Sequence, residues 1–356
     1  MNKPWIHIIG AGVSGLSLAR CLARAERLPG DIVISDPHLD APQSQTFCFW
    51  FDKRSERALQ PERRWSEWSF SSLERGREIK HKGRRYAYGA VSGAGFRARC
   101  LEVLNAHPQV HFNSNYIAQT PDAEHVFDSR PPQLSDFRVN QSFMGLEVEL
   151  DQPHQLNHVQ LMHDLTYVDH GVQFRYVLPL SETRLLVEYT RFTTQITSFS
   201  LLEDANRQWL DRSVSRSYEV VRTEQAHIPM GISGDLAHFG VPIGARAGMT
   251  RDATGYGFVN IGRWAERTSS ALLSRNQSSP YQTARLKSWM DNHLLKIIEQ
   301  RPDVLPQLLM HLSASMSADA FAGFMTRCGP YDALRTILAA PKRPFLFSAL
   351  NRLQRV

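Results

Sequence analysis

The feature that most constrains the fold is a glycine-rich turn near the start of the chain. A short apolar run, residues 5–9, is followed at once by a GxGxxG motif, residues 10–15, and apolar residues then recur at helical spacing up to residue 23. A second apolar run, residues 31–35, ends at Asp36. This order of strand, glycine turn, helix, strand and acid predicts a dinucleotide-binding βαβ unit.

Each residue of the motif has a physical role in such a unit. Gly10 permits the tight turn, Gly12 lets the backbone approach a pyrophosphate, and Gly15 lets helix and strand pack closely. Free N–H groups at the helix N-terminus attract the anion. The Asp36 carboxylate suits the two hydroxyls of an adenosine ribose, which favours FAD or NAD over NADP. Because the βα alternation stops after the second strand, the sequence favours FAD.

The rest of the chain predicts an α/β fold in which this FAD-binding Rossmann-like domain is interleaved with an antiparallel-sheet substrate domain and followed by a C-terminal helical region. Residues 137–150 alternate with period two, and residues 173–180 and 183–190 read as a hairpin around Ser181 and Glu182. Further short strands are expected at 110–112 and at 124–130, which contains Asp128. The expected FAD-binding ranges are 1–45, 96–135 and 240–275, the substrate-domain ranges are 46–95 and 136–239, and the helical, membrane-facing cap is 276–356.

Charge is distributed unevenly over the 356 residues. The formal net charge is +6, yet residues 53–99 alone hold thirteen basic and five acidic groups, and residues 281–356 hold ten and five. Two basic zones suit an anionic surface such as a membrane or a phosphorylated cofactor. Nucleic acid is not expected as a partner, because no recognised nucleic-acid-binding module accompanies the charge.

Several absences narrow the class of protein. No leader-like segment and no run of eighteen apolar residues is found, and the four cysteines form no CxxC pair. We therefore expect a cytoplasmic protein with reduced thiols. No metal is expected, since His154, His158 and His163 lie in a segment with neither helical periodicity nor a cysteine cluster.

Two segments carry polar groups suited to chemistry. Glu188 stands in a run of β-branched and aromatic residues, where it either faces solvent, pairs with Arg175 across the hairpin, or is a buried acid whose raised pKa lets it move a proton. Residues 240–262 contain six glycines. They form either a plain surface loop or a backbone that closely approaches a flat cofactor.

Taken in order, these motifs resemble those of bacterial lycopene β-cyclases, flavoproteins that close ionone rings on the ends of acyclic carotenoids. The resemblance implies that Glu188 is the catalytic acid/base. It also implies that FAD must be reduced by NADPH although the reaction has no net redox change. The matching segments cover residues 10–15, 46–50, 126–131, 141–149, 178–190, 224–230, 248–249 with 254–256, and 342–346.

Cofactor and substrate residues follow from the same resemblance. Aromatic faces would line the path of a carbocation, because a π face attracts positive charge, although each aromatic is also an ordinary core residue. The expected cofactor-binding residues are Gly10, Gly12, Gly15, Asp36, Asp128, Gly248, Thr254, Gly255 and Tyr256, and the cation-lining residues are Phe49, Trp50, Phe174 and Tyr176, with Phe47 a further candidate.

Two departures from the family pattern leave the end group open. Tyr189 stands where some members have a second acid, and His163 interrupts the Met-Asp pair of many members, here Met162 and Asp164. An alternative function is another FAD-dependent isoprenoid reductase or aromatic monooxygenase of the same superfamily, and a non-enzyme alternative is a flavin- or carotenoid-binding protein without turnover.

The C-terminal region has the sequence pattern of a membrane-contacting helical cap, from which a lipid-dissolved substrate could enter. Residues 281–356 have helical spacing of apolar positions, and the basic, aromatic segment 342–347 follows. We expect this region to contact anionic lipid at the inner face of the cell membrane, the alternative being a solvated helix.

Overall fold

The computed structural model describes residues 3–341 except 75, 134–136, 215–216, 233–235, 279 and 327. The chain packs as two units. Unit 1 comprises Met1–Phe47, Ser92–Asp136 and Ile232–Ala284, and unit 2 comprises Cys48–Val91, Phe137–Gly231 and Arg285–Val356. The basic, aromatic segment 342–347 lies outside the described residues.

The bounds of the regular elements in the described residues are as follows. The strands are β1 (Ile6–Ile9), β2 (Ile32–Ser35), β3 (Thr46–Asp52), β4 (Arg63–Trp65), β5 (Glu67–Ser72), β6 (Arg77–Lys82), β7 (Tyr86–Ser92), β8 (Val110–Asn113), β9 (His125–Asp128), β10 (Phe137–Leu150), β11 (Val159–Val168), β12 (Gly171–Pro179), β13 (Arg184–Thr193), β14 (Tyr218–Ile232) and β15 (Val241–Pro242). The helices are α1 (Val13–Leu22), α2 (Glu56–Leu59), α3 (Gly93–Asn105), α4 (Phe199–Ser213), α5 (Phe258–Arg275), α6 (Arg285–Gln300), α7 (Leu305–Ser315), α8 (Ala318–Thr326) and α9 (Pro330–Ala339).

Unit 1 is built on a five-stranded parallel sheet. Its strands run in the order β15-β9-β1-β2-β8, and the paired strands are parallel. β1 is buried along its whole length, as its unbroken apolar sequence requires of a central parallel strand. Helix α1 packs against α3 and α5. This is the Rossmann-like core that the glycine motif predicts.

Unit 2 is built on a seven-stranded, largely antiparallel sheet in the order β14-β10-β13-β12-β11-β5-β6. A three-stranded sheet, β3-β7-β4, accompanies it. Leu146 of β10 and Val187 of β13 pair directly and join a buried core with Leu202 and Leu210, which lie eight residues apart on α4. Helix α4 therefore covers one face of the large sheet. Gly145 of β10, Tyr176 of β12 and Glu188 of β13 lie on the opposite face.

The C-terminal helices from α6 onward pack within unit 2. His81 hydrogen-bonds the Ser313 carbonyl of α7 at 2.8 Å, and the Asp319 carboxylate of α8 accepts hydrogen bonds from the backbone N–H groups of Arg85 and Tyr86. No helix in the described part of the chain is long and apolar enough to span a bilayer. The predicted fold class, a parallel-sheet α/β core interleaved with antiparallel sheet and followed by helices, is confirmed.

Candidate active site

The glycine motif forms a turn with one open side at the start of α1. Gly10 has φ +100°, and a Cβ there would collide with Ser129 Oγ. A Cβ at Gly15 would collide with the Gly10 carbonyl oxygen, so only hydrogen fits at either position. A Cβ at Gly12, in contrast, would meet nothing within 4 Å. The open space therefore lies beside Gly12, at the helix N-terminus where an anion is favoured.

Asp36 orders this turn from the end of β2. Its Oδ2 accepts a 2.7 Å hydrogen bond from the Ala11 backbone N–H, and its Oδ1 accepts one of 2.8 Å from the His38 N–H. The side chain stays partly exposed. The carboxylate thus fixes the glycine loop and still has lone pairs for a ligand at the carboxyl edge of the sheet.

A second glycine-rich loop, residues 244–257, lies beside the N-terminus of α1. Gly244 has φ +66°, and a Cβ there would press against Ser14 Oγ. Gly248 also has φ +66°, with nothing within 4 Å of its Cβ position. Thr254 Oγ1 is buried and has no hydrogen-bond partner among the described residues. A buried, unpartnered hydroxyl at Thr254 and an open position at Gly248 are what a bound polar cofactor would require.

The turn that precedes α5 holds the remaining two predicted residues of this loop. The Gly255 N–H donates to the Arg251 carbonyl at 2.8 Å, and the Tyr256 carbonyl accepts from the Arg251 N–H at 2.9 Å. Gly255 has φ +71°, which a residue with a side chain adopts only with strain. Both predicted residues therefore belong to the loop that contacts Ser14.

Asp128, at the end of β9, is fully buried, and its carboxylate is hydrogen-bonded within the protein. The Arg130 guanidinium donates two hydrogen bonds to its carboxylate, at 2.6 and 2.9 Å, and the backbone N–H groups of Arg130 and Phe239 donate two more, at 3.1 and 2.9 Å. Burial opposes ionisation, but these hydrogen bonds hold the pKa of Asp128 below its ordinary value. Asp128 therefore holds the loop at Phe239 in place, and its role in cofactor binding stays a prediction.

The predicted acid, Glu188, lies on the face of the unit 2 sheet that α4 does not cover. In the strand register it pairs with Gly145 of β10 and with Tyr176 of β12, so these three residues share a face. Thr190 Oγ1 donates a 2.9 Å hydrogen bond to Glu188 Oε1. Glu188 and Tyr176 keep part of their surface accessible, whereas Thr190 is fully buried.

A second carboxyl, Glu224 of β14, extends the same row. It is only 3% exposed. A Cβ added to Gly145 would lie 2.8 Å from Glu224 Cγ, so the missing side chain at Gly145 is what lets Glu224 lie over β10 towards Glu188. The row across β14, β10, β13 and β12 is therefore Glu224, Gly145, Glu188 and Tyr176.

Burial first, and then the negative charge of Glu224, raise the pKa of Glu188 to about 8, against the opposing effect of the Thr190 hydrogen bond. Glu188 is thus a carboxylic acid at neutral pH. Cys48 lies within electrostatic reach of both carboxyls and is hydrogen-bonded to Tyr88. Burial, reinforced by the two glutamates, raises the pKa of Cys48 well above its ordinary value, so it remains a thiol.

Arg222, two residues before Glu224, provides the counter-charge of the site. Its Nη1 donates to Glu224 Oε2 at 3.1 Å, and its Nη2 lies 2.8 Å from Glu147 Oε2. Arg184 approaches Glu147 at 3.5 Å from the other side. One guanidinium is therefore shared by two buried carboxyl side chains, Glu147 and Glu224.

Of the four predicted cation-lining aromatics, Phe174 and Tyr176 lie on the same sheet face as Glu188. Phe49 and Trp50 pack against other aromatic rings of unit 2. Phe174 is buried, pairs with Thr190 on the face of Glu188, and has its ring 5.2 Å from that of Tyr176. Phe49 packs edge-on against Phe51 at 5.9 Å. Trp50 packs against Trp68, Tyr88 and Phe321 at 6.2, 4.9 and 5.7 Å.

Phe47 packs in unit 1, stacked on Phe258 at 5.5 Å and edge-on to Phe96 at 6.0 Å.

Both departures from the family pattern lie on the other face of the sheet, the one covered by α4. Arg175 stacks over the Tyr189 ring at 4.5 Å and over Trp209 of α4 at 5.7 Å, and it donates to Asp164 at 3.2 Å. Met162 and Asp164 both have positive φ, 47° and 54°, where the β11 register shifts around His163. Arg175 is therefore the partner of Asp164 rather than of Glu188.

Glu224, Gly145 and Cys48 were not singled out as site residues by the sequence. The available signals were a glycine in the middle of a long alternating strand and two charged residues, Arg222 and Glu224, spaced to share one face of another. No group of three or more His, Cys, Asp or Glu side chains that could hold a metal ion occurs in the described residues.

The chain is similar to a known protein family over most of its length. A family model described as "Lycopene cyclase protein" matches residues 6–326. A lycopene beta-cyclase from Paracoccus sp. is 34% identical over 144 residues, 38% of this chain and 37% of that protein. One from Pantoea ananas is 32% identical over 138 residues, 36% of each chain. The matched segment thus spans little more than a third of each of these relatives.

Solved structures with a similar fold are far more distant in sequence. A geranylgeranyl bacteriochlorophyll reductase-like protein from Thermoplasma acidophilum superposes with a TM-score of 0.59 at 11% identity, over 94% of this chain and 96% of that one. A probable FAD-dependent monooxygenase from Pseudomonas aeruginosa gives 0.52 at 10% identity, over 95% and 99%. These likenesses establish the fold.

Proposed function

The chain belongs to the lycopene cyclase family, and from this premise we propose that it is a lycopene β-cyclase. It would close β-ionone rings on the ends of lycopene, giving γ- and β-carotene in carotenoid biosynthesis, by acid catalysis without net redox change. The observation that carries the proposal is Glu188, a carboxyl whose pKa is raised to about 8 by burial and by Glu224. Such a group is protonated at neutral pH and lies on one face with two aromatic rings.

The reaction requires proton donation, stabilisation of a carbocation, removal of a ring proton and exclusion of water. Glu188 donates its proton to the terminal double bond of the polyene, and general acid catalysis of this kind contributes roughly 10²–10⁴-fold. The rings of Tyr176 and Phe174, on the same face, stabilise the resulting carbocation electrostatically. After the neighbouring alkene closes the ring, a carboxylate must remove a ring proton. Exclusion of water protects the cation from being trapped as an alcohol.

We further propose that unit 1 holds FAD. The Gly10–Gly15 turn and Asp36 would bind its pyrophosphate and adenosine ribose, and the loop with Gly248, Thr254, Gly255 and Tyr256 would provide further polar contacts. Supporting observations are the open side of Gly12 and the unpartnered hydroxyl of Thr254. When bound and kept reduced by NADPH, FAD would supply negative charge that favours a carbocation, and it would not be consumed.

The substrate of such an enzyme is dissolved in lipid, and we propose that α9 contacts an anionic membrane surface at the inner face of the cell membrane. Tyr331, Leu334 and Leu338 recur at helical spacing on α9 and are 63%, 54% and 72% exposed. The helix buries Ala333 instead. Arg335 lies over the Tyr331 ring at 4.5 Å, which adds positive charge to this apolar surface.

Cosedimentation with vesicles tests the membrane contact. Leu338→Glu should lower binding to vesicles that contain anionic lipid, because it places a negative charge on the apolar surface of α9. Leu201→Glu is the matched control, since Leu201 is an exposed leucine on α4. Equal binding of the two variants, or binding that is independent of anionic lipid, would contradict the proposed contact.

Carotenoid analysis tests the reaction class. The chain is expressed in lycopene-accumulating cells, and the purified holoprotein is assayed with NADPH and lycopene in vesicles. A cyclase gives products with β-rings and the same mass as lycopene, and needs only catalytic NADPH. Stoichiometric consumption of NADPH with a hydrogenated or oxygenated product would instead indicate the isoprenoid reductase or monooxygenase function.

A further inference from the structure

A single catalytic acid does not account for the second buried carboxyl beside it. We propose that Glu224 is a second functional carboxyl of the cyclisation site, and that Glu188 and Glu224 together hold one exchangeable proton. Glu188 donates this proton, and the pair takes back the proton released when the ring is completed. This inference rests on the proposed function, and it assigns a role to a residue that a single-acid mechanism leaves unused.

The geometry of the sheet brings the two carboxyls together. Glu188 and Gly145 are direct partners in the register of β13 and β10, and Glu224 occupies the space above Gly145. A residue with any side chain at that position would displace Glu224, because a Cβ would lie 2.8 Å from its Cγ. A glycine in the interior of a strand often marks a site where another group approaches the backbone closely, as Glu224 does here.

The charged and titratable neighbours of Glu224 divide the roles between the two acids. Arg222 donates to Glu224 directly and places a positive charge beside it, whereas Glu188 accepts a hydrogen bond from the neutral hydroxyl of Thr190. Other titratable groups near Glu188 and Glu224 are Glu147 on β10, Cys48 on β3, Tyr88 on β7 and Tyr176 on β12. Helix α6 packs on β10, β12 and β13, and it buries Asp291.

The proton balance closes without any other reagent. In the resting pair Glu188 is a carboxylic acid and Glu224 a carboxylate. The O–H bond of Glu188 breaks as a C–H bond forms at the terminal alkene carbon, which leaves two carboxylates and a carbocation. After ring closure, a ring C–H bond breaks, its electron pair becomes the new ring double bond, and its proton returns to the pair. No electron is gained or lost.

The simplest structural role for Glu224 is that of an ion-pair partner for Arg222, and the chain provides a matched control for it. Glu147 also binds Arg222, at 2.8 Å, and is also buried. It pairs with Leu186 rather than with Glu188 in the β10–β13 register, so it lies one row further along the sheet. Glu147→Gln therefore removes the same kind of ion pair without removing the neighbour of Glu188.

The test is the pH profile of cyclisation by the full-length holoprotein, with lycopene in vesicles, NADPH and FAD, for the wild type, E224Q, E147Q and E188Q. Loss of the Glu224 charge lowers the pKa of Glu188, so the alkaline limb of the E224Q profile should move to lower pH by about one unit. The limb of E147Q should stay within about 0.3 units of the wild type, by the distance dependence of the same interaction. E188Q should be inactive at every pH.

Gly145→Ala gives a second and independent arm, in which Glu224 is kept but displaced by the new methyl group. It should shift the alkaline limb in the same direction as E224Q while retaining FAD, and it decides the question if E224Q does not fold. A rate that falls equally at all pH values in E224Q and E147Q would show an ion-pair role only and overturn the inference, as would an unshifted limb. Wild-type activity in E188Q would instead overturn the proposed function itself.

Discussion

Replacing Glu188 by glutamine should abolish cyclisation and yet stabilise the folded protein above neutral pH. Glutamine keeps the size of the side chain and can still accept the hydrogen bond from Thr190, but it cannot ionise. In the wild type, burial and Glu224 raise the pKa of this carboxyl from 4.5 to about 8. An unfolded chain ionises the same residue near its ordinary pKa, so the two states bind different numbers of protons between these values.

The size of the effect follows from that difference. Below pH 4.5 the residue is protonated in both states and has no influence. As the pH rises from there to about 8, unfolding releases a proton, and the free energy of unfolding of the wild type falls by about 1.4 kcal/mol per pH unit relative to E188Q. The full difference is on the order of 5 kcal/mol and is reached above the folded pKa.

Urea unfolding between pH 5 and pH 8.5, at equal and saturating FAD, measures this difference. Tryptophan fluorescence is a suitable probe, since Trp50 and Trp68 are buried in unit 2. The E188Q midpoint should exceed that of the wild type by an amount that grows with pH. Glu219→Gln, at an exposed carboxyl of β14, is the control and should follow the wild type. Parallel pH profiles for the wild type and E188Q would refute the reasoning that places a raised pKa at Glu188.

Two further predictions concern unit 1. Gly12→Ala should leave the fold intact, since its Cβ enters open space, but it should obstruct the pyrophosphate and weaken FAD binding in a fluorescence titration by about 10-fold or more, which is about 1.4 kcal/mol. Gly15→Ala should also lower the thermal midpoint, because its Cβ meets the Gly10 carbonyl oxygen. Asp128→Ala leaves Arg130 without its ion-pair partner and should destabilise the protein by about 3 kcal/mol, seen in thermal unfolding with and without FAD; an unchanged midpoint would contradict a structural role.

Local signals in the sequence were sufficient for the parts of the fold that depend on neighbouring residues. The alternation of residues 137–150 gives β10 its full extent, and the glycine motif predicts the turn before α1. The hydrogen bond from the Ala11 N–H to Asp36, which orders this turn, was not predicted, because the sequence assigned Asp36 to a cofactor ribose. Glu188 was recognisable because a carboxyl in an apolar strand is unusual and because its surroundings resemble a family motif. These features need no knowledge of which strands pair.

The second carboxyl depends on pairing between distant segments. Glu224 meets Glu188 only because β14 and β13 both lie next to β10, and because the residue between them is Gly145. Likewise, the sequence left open whether Arg175 pairs with Glu188. The register places Arg175 on the face covered by α4, where it binds Asp164. Strand order and the face of each strand are tertiary properties, which hydrophobic periodicity alone does not determine.

The most direct test of acid-catalysed cyclisation at Glu188 is product analysis with purified wild-type and E188Q proteins. Both are reconstituted with FAD, checked for equal flavin content and supplied with NADPH and lycopene in vesicles at pH 7. Chromatography should show β-ring products from the wild type, and only unreacted lycopene from E188Q. Cyclic product from E188Q at a rate near that of the wild type would contradict the account.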